Sequence, residues 1–225
     1  FICVDELPAA DALSLIRSHQ PDGRFLHDDD EAAARELVTL LDGFTLAVET
    51  AAIYLGRHTE RGAIAEYAER LRRELLESER LAANPAVAVR HREKLLERTL
   101  ALTFDELSAE QSFVLQLCSL LPSDQIALPW LEFVASELLS PTRANLNLVQ
   151  VFESLISLRL IQPAHHQHLV RMHRFVQGLL RRQLWDEADL MEEALVNHLQ
   201  DRAKQLWNDC ARQDSRWDLK PLAAA

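Results

Sequence analysis

The chain has 225 residues, 48% hydrophobic and 26% charged, a balance that fits a globular protein of one or two domains. Its net charge of −11 argues against nonspecific binding to nucleic acid or to an anionic membrane, because both need a basic footprint. No apolar run approaches the roughly 18 residues of a membrane span and no signal peptide is visible, so a cytoplasmic protein with no membrane partner is expected.

In chain order, helix dominates. The apolar segment Phe1-Ile-Cys-Val4 opens the chain and has the look of a cut within a longer protein, as does the end in Leu219-Lys-Pro-Leu-Ala-Ala-Ala225. Ala9 to Ser18 carries apolar residues at Ala9, Leu13, Leu15 and Ile16, and Pro21-Asp-Gly23 breaks the chain after it. Asp28-Asp-Asp30 reads as an N-cap and dipole-favoured start for a second helix, with Ala33, Leu37, Leu40 and Leu41 at helical spacing. Gly43 is placed to end that helix in the left-handed conformation. Phe44 to Leu55 is apolar nearly all round, the pattern of a buried helix. Gly62 to Leu76 follows, with Ile64, Tyr67, Ala68, Leu71 and Leu75 on one face. Asn84-Pro85 marks a boundary.

Beyond it, helices are expected over Val87–Leu102, Ala109–Leu121, Trp130–Leu138 and Asn145–Leu158. Pro129 stands near the start of the third, where proline is tolerated. Arg159-Leu-Ile-Gln162 and Leu169-Val-Arg-Met172 read as two strands around Pro163-Ala-His-His-Gln-His168, and a helix from His173 to about Leu184 follows. Helices followed by a β-hairpin make a winged-helix pattern. Asp186 to Asp209 is one long amphipathic helix, with Leu190, Ala194, Leu195, His198, Leu199, Ala203 and Leu206 as its stripe, and Trp217 starts another. The fold class is therefore mainly α: a helical bundle over 1–85, a winged-helix domain with a short β-hairpin over 86–185, and a helical linker or the start of a tetratricopeptide-like repeat region over 186–225.

The chemistry available to this chain is limited. A phosphate-cradling P-loop needs Gly-x-x-x-x-Gly-Lys-Ser/Thr, and none of the five glycines has a partner at that spacing. No enzyme activity is therefore expected of the chain by itself. Cys3, Cys118 and Cys210 lie far apart without metal or redox spacing and are expected to be reduced thiols. His165, His166, His168 and His173 lack the convergent third and fourth ligands that zinc requires, so no metal site is expected.

Two segments carry a resemblance. Leu40-Leu-Asp-Gly-Phe-Thr-Leu-Ala-Val48 is a helix stop and restart, and Leu169-Val-Arg-Met-His-Arg-Phe-Val-Gln-Gly178 is a strand running into a helix with Met172-His173 at the junction. Together with Thr99-Leu-Ala-Leu-Thr-Phe-Asp-Glu-Leu107 and Leu115-Gln-Leu-Cys-Ser-Leu-Leu-Pro122, they resemble the bacterial STAND, or NB-ARC, signalling NTPases with C-terminal repeats, over about residues 1–185. In that family the two motifs read Gly-Leu-Pro-Leu-Ala and Met-His-Asp.

The resemblance implies that this chain is the helical and winged-helix part of such a protein, without its P-loop domain. It would be a regulatory module for nucleotide sensing, autoinhibition and oligomerisation. ADP or ATP would be bound through an upstream P-loop domain in cis, with helical repeats downstream in cis and a homo-oligomer forming on activation. The full-length protein would be an ATPase. His173 would reach the phosphates of ADP, and Gly43, Phe44 and Thr45 would lie near the adenine. The family aspartate is Arg174 here, which would face phosphate, pair with an acidic neighbour or point to solvent. The family proline is Thr45, whose hydroxyl could cap the restarting helix.

The alternative is a winged-helix DNA-binding transcriptional regulator with a helical partner domain, its recognition helix over Asn145–Leu158. A DNA reader needs basic and amide side chains there. From Leu100 to Trp185 seven acidic residues outnumber six basic ones, a poor phosphate surface, so no nucleic-acid partner is expected.

Overall fold

The computed structural model describes residues 6–21, 28–81, 87–138, 147–182, 188–208 and 219–224. Cys3, Gly23, Asn84, Pro85, Asn145, Cys210 and Trp217, each part of an expectation above, lie outside the described residues. The chain divides into two compact units, Phe1–Glu106 and Leu107–Ala225. Among the described residues no helix is long and apolar enough to cross a membrane.

The first unit is a bundle of α1 (Ala9–Ser18), α2 (Asp28–Leu40), α3 (Thr45–Arg57), α4 (Ala63–Leu81) and α5 (Val87–Phe104). α1 packs on α2 and α3, α2 on α4, and α5 on α3 and α4. α3 lies at the centre, as its all-round apolar sequence predicts: Ala47, Val48, Ala51, Ala52 and Leu55 are fully buried. The α4 face read from the sequence is the buried one, with Ile64, Tyr67, Ala68, Leu71 and Leu75 inside. Two expectations shift. Ala9 is exposed and Ala12 takes the inward position in α1, while α2 already begins at Asp28, so Asp29 and Asp30 lie within its first turn.

The boundary between the units falls after Glu106, not at residue 85. α5 belongs to the bundle because Leu95, Leu96, Leu100 and Leu102 are buried. Polar contacts hold its C-terminal end to other bundle elements. Arg70 on α4 donates to Asp105 at 3.1 Å, and His58 Nε2, just after α3, lies 2.7 Å from a Glu106 carboxylate oxygen. The Tyr54 ring stacks on His58 at 4.3 Å. Burial and then a hydrogen bond to Glu106 push the Tyr54 hydroxyl up to about 12.

The second unit contains α6 (Ala109–Leu120), β1 (Ile126–Ala127), α7 (Leu128–Leu138), α8 (Leu148–Ser157), β2 (Ile161–Pro163), β3 (Leu169–Met172), α9 (Arg174–Arg182), α10 (Ala188–Asn208) and α11 (Leu219–Ala224). The three strands form an antiparallel sheet in the order β1-β3-β2, with Ile126 opposite Val170 and Gln162 opposite Arg171. Three helices with a hairpin that recruits a strand from the first loop form a winged helix. Pro163 is tolerated because β2 is an edge strand. α6 begins with a capping box: the Ser108 hydroxyl accepts from Gln111 N–H, and the Gln111 side chain accepts from Ser108 N–H.

Three details differ from the sequence reading. β1 is a two-residue strand, too short to show a period. β2 starts at Ile161 because Arg159, at φ 57°, closes α8 instead of opening a strand. The buried stripe of α10 is rotated from the expected one. Met191, Leu195 and Leu206 face in, whereas Leu190 and Ala203 are exposed.

Candidate functional site

The residues expected to read a nucleotide fall in both units. Gly43, Phe44 and Thr45 belong to the first, and His173 and Arg174 to the second.

In the first unit, α2 stops at Leu40 and the chain turns through two left-handed residues, Asp42 at φ 48° and Gly43 at φ 63°. Gly43 is buried, and its carbonyl accepts from Leu7 N–H at 2.8 Å. A β-carbon there would sit 2.5 Å from the Leu7 carbonyl oxygen, so the space beside Gly43 is filled by the bundle's own backbone. Phe44 is half-buried and occupies the N-cap of α3 without a side-chain cap bond. Thr45 is exposed and already the first residue of α3, so its hydroxyl does not take the capping place expected for it.

In the second unit, the junction forms because the pattern of β3 runs out. Val170 and Met172 point inward with Arg171 outward between them, and the Met172 amide is tied to the Ser123 carbonyl at 2.7 Å. His173 then takes the cap position of α9. Its carbonyl accepts from Gln177 N–H at 3.0 Å, and its ring Nδ1 accepts from Phe175 N–H at 3.2 Å. The imidazole thus does what a serine or aspartate side chain usually does at a helix start. An accepting Nδ1 leaves the proton of the neutral ring on Nε2. The residue as a whole is exposed, yet partial desolvation of the ring lowers its pKa below 6.5 and favours the neutral form. Arg174 is the first residue of α9, exposed, and without an ion-pair partner among the described residues.

Sequence reading missed what holds this junction. One and two turns beyond His173 stand Gln177 and Arg181. The Gln177 amide donates to the carbonyls of Ser119 and Leu121 at 3.1 and 2.5 Å, and Arg181 Nε donates to Ser119 at 2.6 Å. The last carbonyls of α6, which have no partner within their own helix, are therefore satisfied by α9. The i, i+4, i+8 spacing was visible in the sequence, but its target was not.

The wing histidines do not converge. His166 and His168 lie with ring centroids 5.2 Å apart, and His166 Nδ1 accepts from the His168 amide at 3.3 Å. Among the described residues, no three His, Cys, Asp or Glu side chains are placed to hold a metal ion. Cys118 is buried in α6, which pushes its thiol up to about 12 and makes it unreactive. On α8, the Asn147 side chain caps the helix by accepting from Gln150 N–H, and the exposed residues include Val149, Gln150 and Glu153.

Compared with known proteins, the chain matches no family model and none of the curated proteins.

Proposed function

We propose that this chain is the regulatory part of a STAND-type NTPase, closing over ADP held by an upstream P-loop domain and releasing it on activation. The observation that carries the reading is the capping geometry of His173. Because Nδ1 is used by the helix, Nε2–H is directed away from the cap and is left to donate. It does so beside the N-terminus of α9, whose partial positive charge favours an anion. Arg174, on the first turn of the same helix, adds a full positive charge where the helix dipole alone would disfavour it. A phosphate near this corner relieves that repulsion. The helical bundle preceding a winged helix supplies the expected order of elements.

In this reading the winged helix is a two-state element whose closed state is favoured by nucleotide. A hydrogen bond to charged phosphate is worth about 1.5–3 kcal/mol, so its loss shifts the closed-to-open balance by roughly one to two orders of magnitude. His173→Ala in the protein that includes the P-loop domain should speed ADP release by that factor and raise spontaneous oligomerisation. His166→Ala, on the wing tip, should leave both unchanged. Equal ADP off-rates for wild type and His173→Ala would remove the sensing role. Submicromolar, sequence-specific binding in a mobility-shift assay at physiological salt would favour a DNA-binding winged helix instead.

A further inference from the structure

Within the second unit, a cleft of about 590 Å³ opens between α7 and α10, away from the α9 corner. That volume is in the range of small-molecule sites. Its two walls repeat one arrangement, an aromatic ring with a carboxylate one turn further along the helix: Phe133 and Glu137 on α7, His198 and Asp201 on α10. Phe133 and His198 stack at 4.3 Å with 23° between their planes, and Phe133 remains 51% exposed. Trp130, nearly fully buried, lies behind this lining.

The cleft is lined by two carboxylates, Glu137 and Asp201, and one guanidinium, Arg202. Arg202 donates to Gln205 at 3.3 Å, and Asp201 accepts from Lys204 at 2.8 Å. Glu137 is exposed and has no ion-pair partner among the described residues. The cleft therefore offers a carboxylate with no ion-pair partner among the described residues, one helical turn from a half-exposed phenyl ring.

We propose that this cleft binds an amphipathic organic cation, a primary ammonium or guanidinium group attached to an aromatic or alkyl body. The cation lies near the Glu137 carboxylate and within reach of the Phe133 ring face, where both the ion pair and the ring quadrupole attract it. The body lies against the Phe133–His198 stack. This site is independent of nucleotide sensing and of His173.

The test is a calorimetric titration of the chain with three probes of similar size: phenethylamine, 3-phenylpropionate and benzyl alcohol. Phenethylamine should bind, benzyl alcohol more weakly, and 3-phenylpropionate not measurably. An exposed ion pair contributes up to about a fivefold gain in affinity and an exposed cation–ring contact a similar factor. Glu137→Gln and Phe133→Ala should each weaken phenethylamine about threefold, and the double variant about tenfold. Both positions are exposed, so the variants should keep the wild-type circular dichroism. Absence of phenethylamine binding at about 10 mM, equal binding of the carboxylate, or unchanged affinity in Glu137→Gln would each overturn the proposal.

Discussion

At the scale of single residues, His173 is where structure and function press hardest on one side chain. Its ring caps α9 only while Nδ1 is unprotonated, and desolvation lowers its pKa. In the unfolded chain the same group titrates near 6.5. Between the folded and unfolded values the unfolded chain binds more protons, so the stability linked to His173 is present above pH 6.5 and is lost as pH falls through the folded value. His173→Asn keeps a good capping residue that does not titrate. In urea unfolding, it should flatten the stability loss below pH 6.5 relative to wild type. An identical acid slope would show that the cap does not depend on the neutral ring. Gly43 makes the opposite point about what a sequence shows. It was legible as a helix stop, and it does have positive φ, but the sequence could not reveal that Leu7 closes against it. Gly43→Ala should cost more than the ~1–2 kcal/mol of left-handed strain alone, because its β-carbon also meets a backbone oxygen. Gly178, mid-helix in α9 with open space around it, should instead gain about 0.5–1 kcal/mol on Gly178→Ala, a contrast that paired thermal melts would resolve.

At the scale of elements, the readable helices were those with a long, clean apolar face, such as α3 and α4. What stayed hidden was chemistry at their ends. α8 finishes with the Leu160 amide bonded to the Leu155 carbonyl and the Arg159 amide to the Ile156 carbonyl, the Schellman pattern that usually carries glycine. With arginine in that place no residue signals the stop, and Arg159 reads as the start of a strand. β1 was invisible for a different reason. Two residues have no period, and its strand character comes only from pairing with Leu169 and Val170. The α6–α9 contact shows the same dependence on partners. With one amide group Gln177 donates to the carbonyls of Ser119 in α6 and of Leu121, its C-cap. Gln177→Leu leaves the Leu121 carbonyl without its donor, while Ser119 keeps the one from Arg181, at a cost of about 1–3 kcal/mol. Hydrogen exchange should report the loss first in α9 and the end of α6. Protection unchanged in both helices would mean that water replaces the glutamine without penalty.

At the scale of the whole molecule, composition and order of elements sufficed to expect a mainly helical chain with a late hairpin, but not where one unit ends. Asn84-Pro85 looked like a boundary because proline and asparagine interrupt helical patterns. The division is set instead by packing that no local signal announces: Leu95, Leu96, Leu100 and Leu102 bury their side chains in the first unit. The polar contacts of Asp105 with Arg70 and Glu106 with His58 then bind the last residues before the division to the same bundle. Burial of a leucine contributes about 1.5–3 kcal/mol, so removing the four buried leucines of α5 takes away an amount comparable to the net stability of a typical small domain. A fragment of residues 1–106 should therefore melt cooperatively with a helical circular dichroism spectrum, and so should 107–225. A fragment of residues 1–85 should lose cooperative melting, because α3 and α4 would expose the apolar faces that α5 covers. If 1–85 melts as sharply and at the same temperature as 1–106, then α5 does not complete the bundle, and the boundary suggested by Asn84-Pro85 describes how the chain folds better than the division after Glu106.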